Sequence, residues 1–148
     1  MPDTQFYARY ATAAESDQYD KRFGSAPFAA QTKWIAANAK ALNIPFTVHL
    51  GDVVDQVGKP DQWKVADAAM KVLEDAKLPY SVLAGNHDVL RDIDYSIDPV
   101  SGTDANRTPA NEPYIQWFGA ERAKKQATFG ARDPSGFHEY HVFCLLYT

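Results

Sequence analysis

The stretch that decides the fold is PFTVHLGDVVD, residues 45–55. Its first six residues form a short and mostly apolar run, which is typical of a strand covered on both faces. Gly51 follows the run, and glycine lets the chain turn sharply while keeping side-chain bulk away from the polar residues beside it. The stretch therefore predicts a buried strand that ends in two carboxylates, Asp52 and Asp55.

A second stretch, YSVLAGNHD at residues 80–88, repeats this arrangement of an apolar run, a glycine and polar residues. Helical patterns over residues 26–42 and 61–77 precede the two runs, and the residue pair Leu78-Pro79 ends the second helix because the residue before proline avoids the α region. Helix, strand, helix and strand at this spacing predict an α/β fold with parallel strands.

Apolar residues recur at helical spacing in both helical segments, and we expect them to form the core: Phe28, Trp34, Ile35, Ala39, Leu42, Trp63, Ala66, Met70 and Leu73. His49 lies within the first strand and is interpreted as a buried histidine with satisfied hydrogen bonds. The sequence predicts a long loop over residues 89–111 and short helices over residues 114–118 and 122–126. Residues 129–136 have a loop-like composition, whereas residues 139–146 predict a strand.

Composition limits the classes of function. The 148 residues suit one domain, and an apolar share of 45% is enough for a core. A net charge of -4 offers no basic nucleic-acid footprint. Cys144 is the single cysteine, so no disulfide forms within the chain. We expect no membrane partner, because no apolar run approaches the ~20 residues that span a bilayer, and residues 1–6 carry no secretory signal. Compartment and oligomeric state stay open.

Both polar clusters follow predicted strands, and ligands of open α/β sheets bind beyond the carboxyl ends of the strands. A carboxylate such as Asp52 can bridge two cations, and the amide oxygen of Asn86 can be a neutral ligand. His87 can bind metal or donate a proton, and Asp88 can orient its imidazole. The pattern therefore indicates metal-assisted hydrolysis.

Three motifs in this order resemble those of the calcineurin-like metallophosphoesterases. Gly51-Asp52-Val53-Val54-Asp55 and Gly85-Asn86-His87-Asp88 match the second and third motifs of that family in full. Asp3-Thr4-Gln5 resembles the Asp-Thr-Gln form of the first motif in one branch of the superfamily. The match covers residues 3–88, somewhat over half of the chain.

The resemblance implies hydrolysis of phosphate mono- or diesters by a metal-activated water, with two divalent metal ions (Mn, Fe or Zn) and a phosphate-ester substrate. It implies a layered β-sandwich flanked by helices, of which residues 1–148 would be a partial domain, the N-terminal half. The metal ligands would be Asp3, Gln5, Asp52 and Asn86. His87 would be the general acid, Asp88 would orient it, and Asp55 would lie behind the ligands.

The chain also departs from the family pattern. The family's later histidines include a Gly-His-x-His motif that is absent here, and His138 and His141 are interpreted as structural or exposed. Only two residues precede Asp3, so the strand expected before it is missing. We therefore expect a fragment that holds half a metal site, with weak metal affinity and little turnover.

Two alternatives remain beside the enzyme. The first is a catalytically incomplete remnant that binds metal or phosphate. The second is a phosphatase with an aspartyl nucleophile, which is disfavoured because Asp92-Ile93-Asp94 lies in a predicted loop and not at a strand end. The sequence contains no P-loop motif for a nucleoside triphosphate.

Overall fold

Helices and short strands alternate along the chain in a computed structural model that describes residues 1–90 and 109–144. The helices are α1 (Gln5–Arg9), α2 (Gln18–Phe23), α3 (Pro27–Asn38), α4 (Pro60–Asp75), α5 (Pro113–Phe118) and α6 (Ala120–Ala123). The strands are β1 (Thr47–His49), β2 (Tyr80–Val82), β3 (Phe129–Arg132) and β4 (Glu139–His141). Single 3₁₀ turns cover Ala13–Glu15 and Asn86–Asp88. The order α3, β1, α4, β2 confirms the predicted alternation, with elements slightly shorter than expected.

The strands β1 and β2 pair in parallel, with Thr47 opposite Tyr80 and His49 opposite Val82. The start of the chain lies along the other edge of β1. The amino group of Met1 donates to the carbonyl of Val48, and the carbonyl of Met1 accepts from the backbone N–H of Leu50 at 3.1 Å. When one residue hydrogen-bonds to the two residues that flank its partner on the next strand, the two strands pair in parallel. Met1 therefore lies where a third parallel strand would pair with β1, although one residue does not make a strand.

The core lies between the sheet and the helices α3 and α4, which pack against each other. Phe28, Trp63, Ala66, Met70 and Leu73 are buried there as predicted. The prediction of burial is wrong for two of the residues that were expected in the core.

Trp34 is 56% exposed because it lies on the outer face of α3, and Leu42 is 56% exposed because α3 ends at Asn38, four residues earlier. The helix was predicted to run to residue 42, but the chain turns instead before Asn43, which has a left-handed φ of 50°.

The face of β1 opposite the helices is open. Thr47 and His49 are buried, whereas Val48 between them is 41% exposed and Leu50 is 66% exposed. The prediction that this run is covered on both faces is therefore wrong for β1. It holds for β2, where Tyr80, Ser81 and Val82 are all buried and the Ser81 hydroxyl donates to Glu139 at 2.8 Å.

The strands β3 and β4 form an antiparallel hairpin, so the prediction of a loop over residues 129–136 is wrong at its start. Gly130 gives no strand signal, yet a Cβ there would lie 2.1 Å from the ring of Tyr140. The glycine therefore makes room for an aromatic side chain from the paired strand. Of the strand predicted at residues 139–146, β4 covers Glu139–His141, and residues 145–148 lie outside the described part.

The described residues thus form two separate two-stranded sheets. A layered sandwich is not evident in them and stays a proposal. The helix predicted at residues 114–118 is confirmed by α5, whereas α6 shares only residues 122 and 123 with the helix predicted at 122–126. Most of the predicted loop at 89–111, including Asp92-Ile93-Asp94, lies outside the described ranges. Within those ranges, no helix has the length and apolar character needed to cross a membrane.

Candidate functional site

The three polar motifs meet at one edge of the sheet. The backbone N–H of Thr4 donates to the carbonyl of Asp52 at 3.1 Å, which joins the first motif to the second. The backbone N–H of His87 donates to Oδ1 of Asp52 at 3.0 Å, which joins the third motif to the second. Asp52 therefore lies between the other two motifs, as expected of the carboxyl ends of neighbouring parallel strands.

Close contact between two turns holds Asp52 in place. Gly51 has a φ of 96° and Asp52 a φ of 49°, so both residues adopt left-handed backbone, which Asp tolerates better than most residues. A Cβ at Gly85 would lie 2.2 Å from Oδ1 of Asp52, and a Cβ at Gly51 would lie 2.9 Å from the nitrogen of Gly85. Glycine is therefore required at both positions for the turns to touch.

Asp88 binds backbone rather than the imidazole of its neighbour. Its carboxylate accepts N–H groups from Val53 at 2.9 Å, Val54 at 3.1 Å and Gly85 at 2.8 Å. The side chain is fully buried, and this burial raises its pKa to about 7 although the three N–H groups oppose the rise. The expectation that Asp88 orients His87 is therefore corrected: its carboxylate fixes the second and third motifs to each other.

His87 is held by Asp55. Its Nδ1 lies 2.7 Å from the backbone carbonyl of Asp55 and 3.6 Å from Oδ1 of the same residue. Because a carbonyl oxygen only accepts, Nδ1 carries a hydrogen, and proton transfer by His87 would use Nε2. Asp55 was expected behind the ligands, and the structure places it against the imidazole.

Arg9 is a residue of this network that the sequence reasoning missed. Its Nη1 donates to Oδ2 of Asp55 at 2.8 Å, and its Nε donates to Glu15 at 2.8 Å. These carboxylates raise the pKa of the Arg9 guanidinium further, chiefly through the hydrogen bond to Glu15. The available signal was its spacing, since Arg9 follows Gln5 by four residues and helical neighbours at this spacing share a face.

Asp3 and Gln5 form a local pair at the start of α1. Asp3 accepts the backbone N–H of Gln5 at 2.9 Å and its side-chain amide at 2.8 Å. The amide oxygen of Gln5 is buried and has no hydrogen-bond partner in the described structure. A buried oxygen without a partner costs about 1–3 kcal/mol, so it calls for an explanation such as a metal ligand.

Between Asp3 and Gln5, Thr4 points into the core. Its hydroxyl lies 2.9 Å from Nε2 of His49 and 3.1 Å from the carbonyl of Val53. Burial is the main cause that lowers the pKa of His49 to about 4. His49 is therefore a satisfied, neutral core residue, as the sequence predicted.

The other two histidines lie on the hairpin. His141 contacts the hydroxyl of Thr128 at 2.9 Å and Glu139 at 3.2 Å, and His138 is exposed.

The donors at the sheet edge suit a divalent cation of the kind that prefers oxygen. They are the carboxylates of Asp3 and Asp52 and the amide oxygens of Gln5 and Asn86. Asp3 and Asn86 are exposed, while Gln5 and Asp52 are half-buried. In residues 1–90 and 109–144, no three His, Cys, Asp or Glu side chains gather into a metal-binding group. The two divalent ions that the resemblance implies for this set stay a proposal.

Comparison with known proteins finds similarity to a bacterial protein but shows no family. No family model matches the chain, and no solved structure matches it. The uncharacterized protein YvnB of Bacillus subtilis (strain 168) is 35% identical over 130 residues. These residues are 88% of this chain but 8% of that protein. The chain is thus similar to one short segment of a much longer bacterial protein whose own name gives no activity.

Proposed function

We propose that this chain carries part of the active site of a metal-dependent phosphoesterase, which hydrolyses phosphate mono- or diesters. The observation that carries the proposal is the position of Asp52. Its carboxylate accepts the backbone N–H of His87 at the point where three polar motifs end, and its own backbone accepts from Thr4. The order of the motifs and their resemblance to the calcineurin-like metallophosphoesterases support the same reading.

Asp3, Gln5, Asp52 and Asn86 would hold the metal. When bound, a divalent cation supplies polarisation of the phosphoryl oxygens and a water of lowered pKa. The chain itself provides the negative charge of two carboxylates and the amide oxygen of Gln5, which has no other partner in the described structure. Asp88 keeps the Asp52 and Asn86 turns at a fixed separation through its three backbone hydrogen bonds.

His87 would give a proton to the leaving oxygen. Its Nδ1 is bound by the carbonyl of Asp55, so Nε2 is the nitrogen that would exchange the proton. Asp55 is ion-paired to Arg9, which fixes its carboxylate beside the ring. A positioned acid of this kind contributes ~100- to 10,000-fold in rate.

Calorimetric titration with Mn²⁺ tests the metal part of the proposal. We expect saturable binding to the 148-residue chain and at least a ~10-fold loss of affinity in Asp52→Asn, which removes a charge with little change of shape. Asp75→Asn is the matched control, because this exposed residue at the end of α4 lies outside the motifs. Equal affinity for all three proteins, or no saturable binding, would reject the site.

The alternative of a catalytically incomplete remnant also has an observation in its favour. Only two of the four proposed ligands, Asp3 and Asp52, are carboxylates, and no group of three His, Cys, Asp or Glu side chains that could hold a metal exists in the part of the chain that the structure describes. Turnover of bis(4-nitrophenyl) phosphate at saturating Mn²⁺ separates the two. A chain that binds Mn²⁺ but does not turn over is such a remnant, whereas rates of ~1–1000 per second are those of an enzyme.

A further inference from the structure

A cavity lies at the opposite end of β2 from the candidate site. It has a volume of about 480 Å³ and lies between the end of α4 and the segment that follows α6. Pro79 lines it, six residues before Gly85, so an extended chain separates the two places by ~20 Å. Cavities of ~300–1,000 Å³ are those that hold small molecules. This one belongs to none of the three motifs.

The cavity combines an apolar wall with cations. Leu78, Pro79 and Ala127 supply the wall. Lys77 and Lys125 line the same cavity and are both exposed. In the described residues neither lysine forms an ion pair, whereas Lys64, Lys71 and Lys124 each do. The two lysines therefore place positive charge at the rim of the cavity, in a chain of net charge -4.

Arg122 provides a third cation, from the buried side. Its Nε donates to Glu74 and to the hydroxyl of Tyr80, and its Nη1 donates to Asp67 at 2.8 Å. Its Nη2 is buried and has no hydrogen-bond partner in the described structure. Glu74, the acidic residue of the lining, is already used by Arg122 and Tyr80. The cavity therefore has an excess of positive charge and an unused donor on a residue of its wall.

The backbone of Lys77 has an unusual conformation. Its φ of 56° is left-handed, at the position after a helix end where glycine or asparagine is favoured. A residue with a side chain is less stable there than glycine, so a substitution at this position affects folding as well as binding. Such a lysine also suits the negative end of the helix α4, so a test must separate binding from folding.

We infer that this cavity binds an organic anion that carries a carboxylate on a compact apolar body. The positive charge of Arg122 and its unpaired Nη2 favour a carboxylate at this wall, and Lys77 and Lys125 add charge from the rim. The body would lie against Leu78, Pro79 and Ala127. The inference is independent of the proposed hydrolysis, because it uses none of the residues of the candidate site.

Titration with 2-naphthoate, followed by ¹H–¹⁵N NMR, tests this site. We expect saturable shifts at Lys77, Leu78 and Ala127 in the wild-type chain. In Lys77→Asn/Lys125→Gln the dissociation constant should rise ~10-fold or more. Asn tolerates the left-handed backbone, so the fold should be retained, and its free energy of unfolding in urea is measured alongside. The control Lys33→Gln/Lys40→Gln removes the same charge from exposed lysines around α3 and should bind as the wild type does.

The probes also separate the parts of the ligand. 2-Naphthalenemethanol has the same apolar body without the charge and should bind at least ~10-fold more weakly; equal binding would refute recognition of the anion. Inorganic phosphate and acetate lack the body, and binding as tight as that of naphthoate would refute the role of the apolar wall. No saturable shift at any residue, or equal loss in both double variants, would overturn the site itself.

Discussion

Oδ1 of Asp88 lies 2.9 Å from the backbone nitrogen of Val53, so the third polar motif holds the second in place. The same carboxylate accepts from Val54 and from Gly85 of its own motif. One buried side chain thus fixes the two turns that present Asp52 and Asn86. Asp88 is therefore a structural residue of the site, and its substitution should change the stability of the fold.

Asp88→Asn should lower the free energy of unfolding by about 2–4 kcal/mol, because the new amide hydrogens would face backbone N–H groups and leave buried donors without acceptors. Urea unfolding followed by circular dichroism measures the change. The exposed Asp75→Asn should stay within about 0.5 kcal/mol of the wild type. If Asp88→Asn is as stable as that control, the three hydrogen bonds do not hold the motifs together.

Gly85→Ala should disturb the site through sterics alone. Its Cβ would lie 2.2 Å from Oδ1 of Asp52, so one turn must move. Overpacking of this kind costs about 1–3 kcal/mol, and Mn²⁺ affinity should fall with it. Gly58→Ala is the matched control, since a Cβ at Gly58 meets nothing within 4 Å. The two variants are compared by urea unfolding and calorimetry, and equal behaviour would contradict the contact between the turns.

The sequence predicted the central α3, β1, α4 and β2 elements because their apolar periodicity agrees with the packing. It missed β3, because Gly130 is a poor strand residue that is explained only by the ring of Tyr140 on the paired strand. It also placed Trp34 in the core, since helical spacing gives a face but does not say where the neighbouring elements stop. Such features depend on contacts between distant segments, which a local pattern does not contain.

The candidate site could also be predicted only in part from the sequence. The sequence placed Asp52 and His87 directly after two predicted strands, and in the structure a hydrogen bond joins them. The predicted partner of the His87 imidazole was wrong, because Asp88 and Asp55 both lie at positions in the sequence from which they could reach it. Only the fold shows that the Asp88 carboxylate is used by backbone N–H groups and that Asp55 lies at Nδ1.

His49 should make stability depend on pH. Burial holds its folded pKa at about 4, below the ordinary 6.5, so the unfolded chain takes up the proton first as pH falls. The stabilisation is therefore complete above pH 6.5 and is lost between pH 6.5 and about 4, by roughly 3 kcal/mol. Asp88 gives the opposite trend: its raised pKa is a contribution present below pH 3.8 that is lost as pH rises through about 7.

The comparison of the wild type with His49→Gln isolates the histidine, because Asp88 is common to both. Gln can keep a hydrogen bond to the hydroxyl of Thr4 but does not titrate. Urea unfolding at several pH values between 4 and 7 should show that the wild type loses about 3 kcal/mol more than the variant as the solution is acidified. Parallel curves for the two proteins would show that His49 does not carry the effect.

The last prediction concerns the proton of His87, in any form of the protein that hydrolyses phosphate esters. An alkyl alcohol leaves as a strongly basic alkoxide and needs that proton, whereas a nitrophenolate is stable as an anion. His87→Asn should therefore slow an alkyl ester by ~100- to 10,000-fold and largely spare a nitrophenyl ester. Asp55→Asn should give a milder form of the same pattern, because it removes the negative charge 3.6 Å from Nδ1 and leaves the backbone carbonyl that binds Nδ1 in place.

Asp52→Asn should slow both esters, since it removes charge from the metal site itself. Steady-state rates on one alkyl and one nitrophenyl ester, at matched Mn²⁺ occupancy, distinguish these cases, and Asp75→Asn again serves as the control. A loss in His87→Asn that is equal for both esters and accompanied by lower metal content would make His87 a ligand. The selective loss is specific to an acid at the leaving oxygen, because a general defect in folding or metal binding slows both substrates together.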